Sequence, residues 1–447
     1  MTPRLPFDVA IVGGGASGTL VAIQLLRRAS TRWERLLLVD REGDFARGIA
    51  YRTRDENHVL NVPAGRMSAL PEEENHFLAW LRRHAPDAGP ETYAGRRLYG
   101  DYLSELLEQT ERARPRVALK RRHGAVRGLE DVEGGVLLRF ASGAPALARR
   151  VVLALGNPPP RALPVSRGAA SRVWQRPWPL EARWPSKKAS VLLVGAGLTS
   201  VDWLLALSAR GHRGQVHILS RHGLLPSAHP EVSPQPLEFS QLPLGRLRPL
   251  VRALRLEARR GDWYAAVDGL RPWAEEVWDS LGDAERRRFA RHMRTRWEVL
   301  RHRLAPAVAA RVTGLRASGQ LDVHAGSLLA ISRRGIRLEA RFRPRGTTQT
   351  QRLEVDVVVN CTGPVGHSAQ PDALVRALLR TGRASPGPLG LGLASDPHGA
   401  LLDEKNRPNP RLWTMGPVRR GNHWESTAVP DIRLQAEALA EHLARAD

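Results

Sequence analysis

Two glycine loops in this 447-residue chain have the residue types and spacing of a diphosphate cradle. The first, Gly13-Gly14-Gly15-Ala16-Ser17-Gly18, follows the apolar run Phe7–Val12. The second, Gly195-Ala196-Gly197-Leu198-Thr199-Ser200, follows Val191–Val194. Each run reads as a buried strand, and each loop opens a helix-compatible segment. In such a loop the first glycine makes the tight turn and the second lets backbone approach a pyrophosphate. The third lets helix pack on strand. The helix N-terminus then presents unpaired N–H groups to the phosphate charge. Two such loops in one chain imply two nucleotides, and so electron transfer between them.

The strands that follow the loops end differently. Arg35-Leu36-Leu37-Leu38-Val39 ends in Asp40, and an acid there accepts hydrogen bonds from adenosine ribose hydroxyls. The plain alternative is a strand-end turn. The matching strand of the second unit, from Gln215 to Leu219, ends in Ser220 and Arg221, which suit a 2′-phosphate. NADPH rather than NADH is therefore expected at the second site, the alternative being a surface arginine in an arginine-rich chain.

The formal charge of +23 is almost entirely arginine. No long basic tail or aromatic-interleaved basic motif stands out, so the charge reads as solvated faces and no nucleic-acid partner is expected. A single cysteine, Cys361, excludes disulfides within the chain, Cys-rich metal sites and a redox-active dithiol. No metal is expected. No apolar run is long enough to span a membrane, and Phe7–Val12 begins without signal-peptide architecture before it. A reducing cytoplasm is the expected location, and the oligomeric state is left open.

The elements that must position the loops can also be read. The apolar run 151–155 leaves through Gly156-Asn157-Pro158-Pro159-Pro160, a stiff crossover. A second run, 353–359, leaves through Asn360-Cys361-Thr362-Gly363-Pro364. Two such exits bracket the second unit. The expected fold class is α/β, with one Rossmann-like domain inserted into another and a helical subdomain. Residues 1–160 and 356–447 would form the outer domain, and 161–355 the inserted one, including a helical segment at 245–318. There Leu247, Leu250, Val251 and Leu254 lie on one helix face, and Trp263, Trp273, Trp278 and Trp297 read mostly as packing residues. Arg301, His302 and Arg303 crowd one turn before Pro306; a solvated helix end and an anion site, for a substrate or for the NADPH phosphates, are both open. A last strand at 411–416 leads through a polar loop to a helix starting near Pro430.

Further segments carry a resemblance: Gly48-Ile49-Ala50-Tyr51, then 58–68, then Arg96-Arg97-Leu98-Tyr99-Gly100-Asp101-Tyr102-Leu103. Later come 220–226, 301–306, 360–364, Gly416-Pro417 and Trp424-Glu425-Ser426-Thr427-Ala428. In order, and over most of the chain, they resemble FAD- and NAD(P)-binding proteins related to bacterial FAD-dependent urate hydroxylase and aspartate N-monooxygenase. The resemblance implies non-covalent FAD in the outer domain and NADPH in the inserted one. Gly13, Gly15, Ala16, Ser17 and Gly18 would bind the FAD pyrophosphate, and Asp40 with Arg41 its adenosine end. Asn61, Val62, Met67 and Ser68 would lie along the flavin. Gly48, Gly156, Thr362 and Gly363 would add cofactor contacts, and Gly195, Gly197, Thr199, Ser220 and Arg221 would hold NADPH. Thr427 and Ala428 precede the last helix, whose free N–H groups suit negative charge at the N1–C2=O edge of reduced flavin. His58 and His423 read as hydrogen-bonded packing residues, with catalysis the alternative.

These readings lead to an expected NADPH-dependent flavin monooxygenase. Hydride would pass to flavin N5, and O2 would give a C4a-hydroperoxide that oxygenates a small anionic or amine substrate. The cofactor carries that chemistry, so no catalytic side chain is legible. Two alternatives are a flavin reductase or dehydrogenase without oxygen transfer, and a non-catalytic nucleotide-bound module with a basic partner-binding surface.

Overall fold

A computed structural model describes residues 6–28, 33–178, 184–230 and 236–445. The chain opens with β1 (Phe7–Val12), α1 (Ala16–Arg27) and β2 (Arg35–Asp40). Helices α2 (Gly48–Tyr51), α3 (His76–Arg82) and α4 (Arg96–Arg112) follow. Then come β3 (Ala118–His123), β4 (Val126–Val132), β5 (Gly135–Phe140) and β6 (Ala146–Leu153). Strand β1 pairs in parallel with β2 on one side and β6 on the other. With both faces of the sheet covered, β1 and β2 are apolar without alternation, as parallel strands are.

The second unit holds β7 (Val173–Trp174), β8 (Val191–Val194), α5 (Leu198–Ala209) and β9 (Val216–Ser220). A helical run follows: α6 (Leu247–Arg260), α7 (Trp263–Leu270), α8 (Ala274–Ser280), α9 (Asp283–His292), α10 (Arg294–Arg301) and α11 (Pro306–Ala317). Asp262 caps α7 by accepting from the Ala265 N–H at 2.7 Å, and Pro306 starts α11. Strands β10 (Leu321–Arg334), β11 (Arg337–Pro344), β12 (Gln351–Val355) and β13 (Val357–Asn360) complete a sheet ordered β12-β11-β10-β9-β8-β13-β7. The chain ends with α12 (Ala373–Arg380), β14 (Ala400–Leu402), β15 (Pro408–Thr414) and α13 (Val429–Arg445). These return to a first sheet ordered β14-β15-β6-β1-β2-β3.

One nucleotide-type sheet is thus inserted in another, but the return falls later than the expected boundary between 355 and 356. Strand β13 belongs to the second sheet, parallel to β8 and β7. Its apolar run needs a partner on each side, and β8 and β7 supply them. Buried Asn360 then ties the two crossovers together, donating from Nδ2 to Arg161 O at 2.8 Å.

The tryptophans of the helical run divide. Trp278 is buried, whereas Trp263 is 38% exposed. Among the described residues no helix is long and apolar enough to cross a membrane.

Candidate functional site

The two glycine loops are built on the same backbone junction. Gly13 N–H donates to Val39 O and Gly195 N–H to Leu219 O, both at 2.8 Å. Ala154 N–H donates to Val12 O and Cys361 N–H to Val194 O, again at 2.8 Å. Gly13 has φ +113° and Gly195 φ +115°, and a Cβ would lie 2.1 Å from Ala154 O or 2.2 Å from Cys361 O. Only glycine fits either position. At the third position the loops diverge: a Cβ on Gly18 would strike Gly13 O at 1.8 Å. In the second loop Ser200 stands there instead, and its hydroxyl donates to Gly195 O. A hydrogen bond replaces bare close packing.

Both loops fit a dinucleotide diphosphate. Helices α1 and α5 begin at glycines with no side-chain cap, leaving first-turn N–H groups for an anion. A Cβ on Gly197 would meet nothing within 4 Å, so the backbone is open to a ligand there. Gly15 faces Gly48, where a Cβ would stand 3.2 Å from the Gly48 Cα. Asp40 seats the first loop: Oδ2 accepts from Gly14 N–H at 3.0 Å, and Oδ1 from Glu42 and Gly43 N–H at 2.8 and 3.0 Å. The strand-end turn and the ribose reading therefore coexist, since each oxygen keeps accepting capacity. Gly416 packs over this loop, a Cβ there reaching Ser17 Oγ at 2.8 Å.

Other expected contacts are redistributed. Arg41 is exposed and 3.6 Å from Glu42. Val62 and Met67 sit in the core of the first unit. Ser68 is buried, and its hydroxyl is spent on Glu73 O at 2.7 Å and Leu70 N–H at 3.1 Å. Burial of two apolar groups and a satisfied hydroxyl turns these three side chains inward, so any contact of this loop with a cofactor runs through its backbone and Asn61. Asn61 remains half-buried, its carbonyl accepting from His229 Nε2 at 2.8 Å. Gly156 has φ +68° and Gly363 φ +78°, as the crossovers require. The Thr362 hydroxyl donates to Asn360 Oδ1 at 2.7 Å, while Thr199 stays half-buried. Ser220 Oγ accepts from Gly223 N–H at 3.0 Å. Arg221 stands exposed beside it with no ion pair among the described residues.

Thr427 and Ala428 lie at the start of α13, where Ala428 O accepts from Asp431 and Ile432 N–H. The neighbouring Ser426 hydroxyl is buried without a hydrogen-bond partner among the described residues, an unsatisfied group a bound molecule would complete.

The basic turn before Pro306 is not three free cations. Arg303 is buried, pairing with Asp268 through Nη1 at 2.7 Å and Nη2 at 2.9 Å, with Nε on Leu300 O. Burial pushes His302 down to about 4, so it is neutral at physiological pH. Arg301 Nε donates to Glu425 Oε2 at 3.1 Å, and Nη2 to Asp431 Oδ2 at 3.4 Å. Arg303 is therefore not free to bind a substrate anion. A buried guanidinium requires a carboxylate, and Asp268 supplies it.

In front of Glu425 and Asp431 lies a cavity of about 620 Å³, whose wall includes Arg66, Arg271, Arg419 and His423. Burial raises Glu425, but Arg301, His302 and the Trp297 N–H bring it below its ordinary value. Burial leaves Asp431 raised despite Arg271 and Arg301, and lowers Arg419 to about 10. His423 Nδ1, on the wall of this cavity, sits 2.7 Å from Glu275 Oε1.

Asp202 escaped the reading from sequence. It is buried in α5, and Arg96 Nη1 reaches its Oδ2 at 2.7 Å. Its carbonyl is 3.1 Å from His58 Nε2, whose Nδ1 is 2.7 Å from Thr53 Oγ1. A lone acid in the apolar stretch 198–207 was the available signal.

A family model described as FAD-NAD(P)-binding matches residues 10–158. A sequence comparison with curated proteins finds no match. Among solved structures, an ornithine N-hydroxylase from Kutzneria sp. 744 is similar at TM-score 0.66 and 15% identity, with 99% of each chain covered. L-lysine 6-monooxygenase from Pseudomonas syringae is similar at TM-score 0.66 and 17% identity, with 98% of this chain and 99% of that one covered. Bacillithiol disulfide reductase from Bacillus cereus is similar at TM-score 0.58 and 13% identity, over 99% of this chain and 100% of that one. At such identities the shared feature is the fold.

Proposed function

We propose that the chain is an FAD- and NADPH-dependent monooxygenase acting on a small molecule with O2 as co-substrate. The observation that carries this is the duplicated junction, Gly13 against Ala154 and Gly195 against Cys361, closed by Asp40 in one unit and Arg221 in the other. When bound, FAD supplies the redox chemistry, taking hydride from NADPH and activating O2. The chain supplies the rest. Gly13, Gly15, Ala16, Ser17 and Gly18 with α1 hold the FAD diphosphate, and Gly195, Gly197 and Thr199 with α5 hold that of NADPH. Arg221 takes the 2′-phosphate. The N–H groups at Thr427, Ala428 and the start of α13 stabilise negative charge on the flavin. The charged cavity beside α13 suits a small polar substrate, as the resemblance to urate and aspartate oxygenases would have it. The lysine and ornithine hydroxylases named above support the class through the shared fold.

The disulfide reductase shares that fold too, but Cys361 is buried and its thiol is pushed up to about 12. A lone, protonated, inaccessible thiol does not shuttle electrons to a disulfide. The single cysteine also fits a reducing cytoplasm.

The test supplies NADPH and 18O2 to the purified protein with amino acids, amines and purines. Oxygenation predicts 18O in a product and less H2O2 than NADPH consumed. One H2O2 per NADPH with every compound would favour the reductase reading.

A further inference from the structure

A chamber of about 810 Å³ opens inside the helical run, separate from the charged cavity beside α13. Trp424 lines the chamber and the next residue, Glu425, lines the cavity. The Leu247, Leu250, Val251 and Leu254 face of α6 forms one side of the chamber, so the amphipathic helix presents an empty apolar wall as well as a packed one. Trp278 and Trp297 help to line the chamber. Their ring N–H groups are already spent, on Gly421 O at 2.9 Å and on Glu425 Oε1 at 3.0 Å. The two indoles therefore offer ring surface and no free donor.

The lip is different. Leu224 and Trp263 stand there 40% and 38% exposed. Arg255 and Arg296 also line the chamber, are exposed, and make no ion pair or hydrogen bond among the described residues. Asp262 is nearby, but it caps α7. Ligand sites fall between about 300 and 1,000 Å³, with apolar walls and a few polar groups that set orientation. This chamber has that size and that division.

We propose that the chamber binds an organic monoanion with an apolar skeleton, of which a medium-chain carboxylate is the simplest case. The hydrocarbon lies along α6 and the tryptophans, and the carboxylate meets Arg255 and Arg296 at the lip. The proposal goes beyond the oxygenase reading, since binding here needs neither NADPH nor turnover.

Isothermal titration of the full-length protein with decanoate, decylamine and 1-decanol, without NADPH, tests it. Decanoate should bind at least about ten-fold more tightly than decylamine, because the lip attracts one charge and repels the other. Replacing both arginines (Arg255→Ser with Arg296→Ser) should bring decanoate to within about two-fold of decanol, which itself changes little. Both positions are exposed, so this variant keeps the fold. Val251→Trp, which narrows the chamber along α6, should weaken binding of all three with the circular dichroism spectrum unchanged. Should Val251→Trp lose its helical signal, the arginine pair still decides. No binding of decanoate, equal binding of decylamine, or no change on removing the arginines would overturn the proposal.

Discussion

Arg96 Nη1 and Asp202 Oδ2 are 2.7 Å apart, joining α4 of the first unit to the nucleotide-loop helix α5 of the second. The pair is largely buried, with side chains 14% and 6% exposed. Arg96 Nε also donates to Val59 O, and the Asp202 carbonyl holds His58, so the contact fixes the two glycine loops relative to each other. Arg96→Ala leaves a buried carboxylate unpaired and should cost about 3 to 5 kcal/mol. The double replacement Arg96→Met with Asp202→Leu should recover most of that loss. Thermal unfolding of the three proteins checks this; equal midpoints for wild type and Arg96→Ala would remove the pair from the account.

Gly195 and Gly197 should respond differently to alanine. A Cβ on Gly195 collides with Cys361 O, so Gly195→Ala should destabilise the second unit. A Cβ on Gly197 meets nothing within 4 Å, so Gly197→Ala should fold normally. It should nevertheless raise the KM for NADPH about ten-fold or more, because the methyl enters the space the diphosphate needs. Melting curves and NADPH kinetics separate the two.

Arg221 makes no ion pair among the described residues, so Arg221→Ser should leave stability unchanged. It should lower kcat/KM for NADPH by about ten- to a hundred-fold while barely affecting NADH, since only NADPH loses a charge-assisted contact. An equal loss with both nucleotides would cancel the 2′-phosphate role.

His302 gives a pH dependence. Its ordinary value is 6.5 and burial brings it to about 4 in the folded protein. Between those values the unfolded chain binds the proton and the folded chain does not. This contribution is fully present above about 6.5 and is lost progressively as pH falls toward 4, by up to about 3 kcal/mol. The urea midpoint should drop between pH 7 and 5, and His302→Gln should shrink that drop. A variant with an unaltered pH profile would assign the dependence to other groups.

The parallel strands and both glycine loops were legible because local demands fix them. Buried strands write apolar runs, and a junction that strikes Ala154 O or Cys361 O admits only glycine. The assignment of Val357–Asn360 to the second sheet was not legible, since an apolar run does not name its neighbours. Nor was the fate of Arg303: a basic residue before a proline looks alike whether solvated or clamped by an aspartate 35 residues earlier. The inward direction of the Ser68 and Met67 side chains was not legible either, because spacing places a loop but not the direction of its side chains. The chamber behind α6 was hidden in a helix face that reads the same whether it meets core or open space.

The central claim is that this one chain passes hydride from NADPH to FAD. Anaerobic stopped-flow mixing of the FAD-loaded protein with NADPH tests it directly. The account predicts loss of the oxidised-flavin absorbance in a single turnover, faster with NADPH than with NADH and slowed in Gly197→Ala. A flavin spectrum that NADPH leaves unchanged would contradict it.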